Sequence, residues 1–187
     1  MPRADTPSTR LATRVGFFVA GFGIACWAPL VPFAKARLGI DDGMLGLLLL
    51  CLGIGSVAAM LAAGMLSARF GARPVVVASG FGLAATLPLL AAAPTPLALG
   101  AALFLFGASL GSLDVAINIH AVEVERDARQ PLMSGFHAQF SVGGFAGAAA
   151  MTALLSLGLG PFASALAGAL PCAFATAVAA PRLLRTK

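Results

Sequence analysis

The sequence predicts an all-α integral membrane protein of six transmembrane helices, and three observations predict it. Hydrophobic residues make up 59% of the 187 and charged residues only 10%, with a mean hydropathy of +0.96, far too apolar for a soluble core inside a polar surface. Four apolar runs, residues 15–34, 44–66, 75–93 and 162–180, are uninterrupted and long enough to cross about 30 Å of hydrocarbon as helices. Two more, 97–119 and 135–157, follow with a few polar insertions, and lysines and arginines punctuate the ends of the runs.

Residues 15–34 read as a retained first span, not a cleavable signal peptide. The run spans a full bilayer and is followed by Lys35 and Arg37 in place of a small-residue cleavage site. The second and third spans are joined by an inner loop carrying Arg69 and Arg73. The third and fourth are joined by the outer loop "APTP", and the fifth and sixth by "GLGP"; connections this short require antiparallel hairpins. Between the fourth and fifth lies the charged inner stretch "HAVEVERDARQPLMS", in which Pro131 fits the first turn of the fifth span, where its missing N–H costs nothing. The domain reading is thus a cytoplasmic tail at 1–14, a six-helix transmembrane bundle at 15–180 and a basic cytoplasmic tail at 181–187.

Charge orients the bundle. Arg3, Arg10, Arg14, Arg69, Arg73, Arg126, Arg129, Arg182, Arg185 and Lys187 fall on one side of the membrane and only Lys35 and Arg37 on the other. The positive-inside bias then puts both termini in the cytoplasm, which an even number of spans independently requires. The net charge of +5 does not point to nucleic acid, because the cations are scattered over span ends instead of gathered on one stripe. Cys26, Cys51 and Cys172 all lie in apolar runs and read as small hydrophobes, with no disulfide, metal, redox or cofactor site. The partners expected are the lipid bilayer and a small-molecule solute.

Two glycine pairs, Gly107 with Gly111 and Gly143 with Gly147, have the small-x-x-x-small spacing that lets helix backbones approach in lipid, and read as packing motifs. A faint internal repeat relates "FVAGFGIA" in the first span to "LFLFGASL" in the fourth, as if two three-helix units made the bundle.

Polar residues inside the spans are the candidates for function. On the fourth span Gly100, Phe104, Gly107, Gly111, Asp114 and Asn118 share one helical face. A carboxylate costs at least about 2.5–3.5 kcal/mol near the bilayer centre, so Asp114 is expected to face the bundle interior or a water-filled cavity and to serve an ion or a solute. The structural alternative has Asp114 bonding a neighbouring helix while Asn118 caps the helix end. On the fifth span His137, Ser141, Gly144 and Ala148 form a second small and polar face, with Gln139 about 200° away from His137. His137 falls at about the level of Asp114, so the two can pair; an interfacial histidine bonded to headgroups is the other reading. Gly107 to Gly111 also spells G-x-S-x-G. Ser109 sits mid-span, however, without the strained turn that exposes a nucleophilic serine, so an intramembrane serine hydrolase is a remote alternative and the chain is not read as an enzyme.

The inner loop between the second and third spans, with Gly64, Leu66, Arg69, Gly71 and Arg73, resembles the signature gating loop of the major facilitator superfamily; Ala68 stands where that family usually has an aspartate. The stretch from Leu105 to Ala148 is similar to bacterial inner-membrane members of the fucose-permease branch. In that branch the fourth helix carries an acid and, four residues on, an asparagine, matched here by Asp114 and Asn118, and "HAQFS" resembles the polar patch of the fifth helix. The sugar permease has an acid on the first helix, where this chain has only Trp27, Pro29 and Pro32. The resemblance implies a secondary carrier of a small polar, sugar-like solute in the bacterial inner membrane. Asp114, Asn118, His137, Ser141, Gln139 and Trp27 would lie on the solute or proton pathway, with proton coupling through Asp114. It accounts for one bundle of a two-bundle architecture, so the chain is expected to be the N-terminal half of a split or truncated transporter, or to associate with a second copy. A non-transporting remnant or scaffold is the alternative.

Overall fold

A computed structural model describes residues 6–184, so Arg3, Arg185 and Lys187 of the inner charge count lie outside the described residues. The described chain is helical with no strand, and six helical stretches are long and apolar enough to cross a membrane.

Helix α1, Pro7–Trp27, starts at Thr6, whose hydroxyl accepts from the Thr9 N–H at 3.1 Å, with Pro7 in the first turn where no N–H is needed. Pro29 and Pro32 withhold two backbone donors, and the chain responds with a 3₁₀ turn at Ala28–Leu30 before continuing as α2, Val31–Leu38. These three pieces make the first span. Helix α3, Asp42–Phe70, is capped by the Asp41 carboxylate on the Met44 N–H at 2.7 Å. It ends at Gly71, whose φ of 83° only glycine adopts without strain, and α4, Ala72–Ala92, follows at once. Thr95 caps α5, Pro96–Ala128. Helices α6, Met133–Ser156, and α7, Pro161–Ala179, complete the six spans, α7 closing in a 3₁₀ turn at Ala180–Arg182.

Two parallel helix pairs carry the packing. Helix α5 lies along α3: a side chain added at Gly107 would strike the Leu52 carbonyl, and one at Gly111 the Ser56 backbone and hydroxyl. Helix α6 lies along α1 in the same way, with Gly143 on the Phe18 carbonyl and Gly147 on the Phe22 carbonyl. Both glycine pairs expected to mediate packing therefore do so, at backbone-to-backbone distance. Helices α1 and α5 also touch each other, and α4 and α7 pack together behind them. Exchanging the first three spans for the last three maps α3–α5 onto α6–α1 and α4–α5 onto α7–α1, as expected of two three-helix units, while the contact of α1 with α4 has no counterpart of like extent between α5 and α7. The centre is filled by Phe17, Leu83, Leu99, Leu103, Phe106 and Ile117, while α3 turns Leu47, Leu50, Ile54, Val57, Leu61 and Met65 outward.

Lys35 and Arg37, the two cations read as lying on the outer side, have structural work. Lys35 pairs with Asp42 across the turn between α2 and α3. The Arg37 guanidinium donates to the last carbonyls of α4, Leu90 at 3.1 Å, Ala91, and Ala93 at 3.2 Å, covering acceptors that the helix itself leaves open.

The boundaries differ from the sequence reading in four places. Helix α1 begins at Pro7, inside the stretch read as a tail. Helix α5 runs to Ala128, through most of the stretch read as an inner loop, because Glu, Arg and Ala are good helix formers and because Ala121 and Val124 are buried against the bundle. Pro131 precedes α6 instead of opening it; the Glu125 carboxylate accepts from the Leu132 and Met133 N–H groups at 2.6 and 2.7 Å and so covers that helix start. Leu183 and Leu184, read as tail, are buried.

If the glycine contacts hold the pairs together, Gly107→Val should lower stability in detergent by about 1–3 kcal/mol or more through overpacking. Gly64→Ala, at a position with no atom within 4 Å, should leave stability unchanged or raised. Thermal unfolding of the two variants checks this, and equal midpoints would contradict it.

Candidate functional site

Asp114 is half-buried on α5. At 100° per residue it projects within about 20° of Gly107, which meets α3, about 60° from Ile117, which meets Gly16 of α1, and about 140° from Ser109, which meets Gly82 of α4. The carboxylate therefore opens toward the side between α3 and α1, away from α4. Asn118, one turn on, donates its amide to the Asp114 backbone carbonyl at 2.9 Å and to Oδ1 at 3.3 Å. The acid and the asparagine form one polar unit, with the second carboxylate oxygen left for another donor.

His137 and Asp114 share no hydrogen bond. His137 is exposed on α6, its Nδ1 bonded to the Met133 carbonyl of its own helix at 3.0 Å and its ring beside Phe17 at 5.0 Å. Ser141 is exposed and Gln139 half-buried on the same helix. Trp27 is buried near the end of α1. The Ser109 hydroxyl donates to the Leu105 carbonyl at 2.9 Å in an unbroken helix, so it is neither at a turn nor beside a base.

The middle of the bundle is closed. The cavity lined by Gly16, Val19, Val76, Leu113 and Thr176 measures about 10 Å³, no more than a single water needs. In this structure that cavity has no room for a solute.

The signature loop divides into two roles. Gly71 makes the turn, and Arg73 donates Nε to the Ala180 carbonyl at 2.9 Å, covering the end of α7. Arg69 is exposed, its guanidinium 5.1 Å from the ring centroid of the adjacent Phe70, and Gly64 is a helical position within α3.

Sequence reasoning passed over His120, which is fully buried. Its Nε2 accepts from the Leu184 N–H at 2.9 Å, so the ring proton belongs on Nδ1, which faces the Thr13 hydroxyl at 3.3 Å; that hydroxyl donates to the Thr9 carbonyl at 2.9 Å. One imidazole thus ties α5 to α1 and to the segment after α7. The signal was present in the sequence, as a histidine between Ile119 and Ala121 on the apolar side of the helix, but its partners lie 107 and 64 residues away.

Comparison with known proteins follows the same lines. Residues 15–187 match the Major Facilitator Superfamily. An uncharacterised MFS-type transporter of Yersinia pestis is 52% identical over 160 residues, covering 86% of this chain and 42% of the relative. An uncharacterised transporter of Sinorhizobium fredii is 39% identical over 80% of this chain and 39% of its own length. The membrane protein MosC of Rhizobium meliloti is 33% identical over 74% of this chain and 34% of its own. The chain thus aligns with about two fifths or less of the length of these relatives. No solved structure matches.

The His120 network predicts that His120→Leu and Thr13→Val each lower stability by about 1–3 kcal/mol, since each strands a buried polar partner. The double variant should lose less than the sum, because both changes break one network. Thermal unfolding of the three proteins decides, and strict additivity would show the groups to be independent.

Proposed function

The chain belongs to the major facilitator superfamily of membrane transporters, and from that premise we propose that this bundle forms one wall of a solute pathway. The pathway runs along the face that α3, α5, α1 and α6 share, opposite α4 and α7. One observation carries the reading: a half-buried acid with its asparagine, Asp114 and Asn118, stands at the open side of a bundle whose own centre is closed. A charge so placed in a spanning helix is a functional candidate by default, and a path that cannot run through the bundle must run beside it.

A second six-helix bundle supplies the opposite wall, because alternating access needs two bundles that rock against each other. The greater length of the matched relatives supports such a partner within one longer protein; a second copy of the chain is the other arrangement. The solute is small and polar, sugar-like by the resemblance to the fucose-permease branch, and Asp114 carries the coupled proton. His137 and Ser141 border the pathway from α6. Gln139 and Trp27 are weaker members, the first because it sits some 200° from His137, the second because it is buried. Arg69 and Gly71 belong to the gating loop. Both termini are cytoplasmic and the membrane is a bacterial inner membrane, in keeping with the charge asymmetry.

The Asn118 bond favours a second reading, in which Asp114 only braces its helix. Asp114→Asn in the complete, two-bundle transporter separates the two. It keeps the volume and removes the titratable proton, so it should reduce proton-driven accumulation to background while insertion and downhill exchange persist. A bracing role would leave accumulation near wild type, since the side-chain carbonyl of the new Asn can still accept from Asn118 one turn on. Solute uptake into liposomes with and without an imposed proton gradient is the measurement, and wild-type accumulation by the variant from acid to neutral pH would overturn the coupling role.

A further inference from the structure

A groove of about 590 Å³ runs between α3, α4 and α5, on the far side of α5 from Asp114. It falls within the range of about 300–1,000 Å³ usual for small-molecule sites. Leu66, Phe70, Val75, Ala78, Gly82 and Leu105 are among its walls. Its floor exists because Gly82 lets α4 approach Ser109; a methyl group there would press on the serine hydroxyl.

The lining selects for hydrocarbon. Three of its four hydroxyls, Ser79, Thr86 and Ser109, donate to carbonyls of their own helices, Val75 at 2.6 Å, Gly82 at 2.7 Å and Leu105 at 2.9 Å, which leaves Ser112 as the one hydroxyl in an otherwise apolar lining. Length matters as much as polarity. From Pro74 at one end to Thr86 at the other the groove follows α4 for about 18 Å, close to one leaflet of a hydrocarbon core about 30 Å thick. At the Pro74 end stands Arg69, exposed, its guanidinium over the Phe70 ring that lines the groove. The residue before it is Ala68, so the arginine has no acid beside it in the loop, and its neighbour Arg73 is turned away to the Ala180 carbonyl.

We propose that this groove holds an acyl chain of an anionic phospholipid from the leaflet bordering the Arg69 loop, with the lipid phosphate on the Arg69 guanidinium. The groove matches the chain in length and polarity, and the arginine at its mouth supplies the charge that a neutral lipid does not need. A lipid held there wedges α3 against α4, next to the turn at Gly71.

The test uses the full 187-residue chain in detergent, titrated with phosphatidylglycerol or phosphatidylcholine and read by native mass spectrometry. Phosphatidylglycerol should bind about fivefold tighter, the factor that one cation near an anionic surface contributes. Arg69→Gln, at an exposed position, should abolish that preference while leaving phosphatidylcholine binding as it was. Ala78→Trp, which fills the groove from an exposed position, should weaken both lipids. Circular dichroism and elution volume confirm that each variant is folded. Equal affinity for the two lipids, a preference that survives Arg69→Gln, or lipid binding untouched by Ala78→Trp would overturn the proposal. So would glycerol phosphate binding as tightly as the intact lipid, since the groove would then contribute nothing.

Discussion

The contact between glycine and carbonyl that joins α5 to α3 and α6 to α1 is the constraint on which the rest of the structure depends. In lipid no hydrophobic force drives one apolar helix against another, so association rests on close packing, and packing is closest where neither helix has a side chain in the way. Gly107 and Gly111 admit the backbone of α3, and Gly143 and Gly147 admit that of α1. Both pairs are parallel, which means that neither is held by a short hairpin. They form only because the intervening chain leaves and returns, through α4 between α3 and α5 and through α3, α4 and α5 between α1 and α6.

The ends of the helices are satisfied by the same economy of parts. Arg37 covers the end of α4, Arg73 the end of α7, and Glu125 the start of α6, each reaching from a different helix. Charged residues at the span ends therefore act twice. Their numbers bias the orientation of the chain in the membrane, and individual members tie one helix to the next. Arg37 illustrates the difference: it counts against the orientation by charge, yet three backbone carbonyls at the end of α4, Leu90, Ala91 and the capping Ala93, take up its guanidinium.

A closed centre has a functional consequence. With Phe17, Leu113 and Ile117 buried between α1 and α5 and their neighbours, and the buried His120 committed to Thr13 and the Leu184 amide, the polar groups open to a solute are left at the margins of the bundle. Asp114 with Asn118 lies at one margin, and the apolar groove ending at Arg69 at another. These two sides of α5 differ in kind. One presents a carboxylate oxygen with room for a further donor; the other presents hydrocarbon, with Ser79, Thr86 and Ser109 turned onto their own helices.

The sequence by itself determined the fold class, the six spans, the two glycine motifs and the helical face that Asp114 and Asn118 share. All of these are local: hydropathy over about twenty residues sets a span, and a spacing of four sets a helical face. The ends of α5 and α6 escaped it, since Val124 is buried and Glu125 reaches seven residues forward, and neither fact follows from the composition of a charged stretch. Which glycine meets which helix, the separation of His137 from Asp114, and the role of His120 were decided only by tertiary structure. A histidine whose partners are Thr13 and the Leu184 amide reads, in sequence, like any other polar residue at a span end. Only when α1, α5 and the segment after α7 converge do the donor and the acceptor that it requires come within reach.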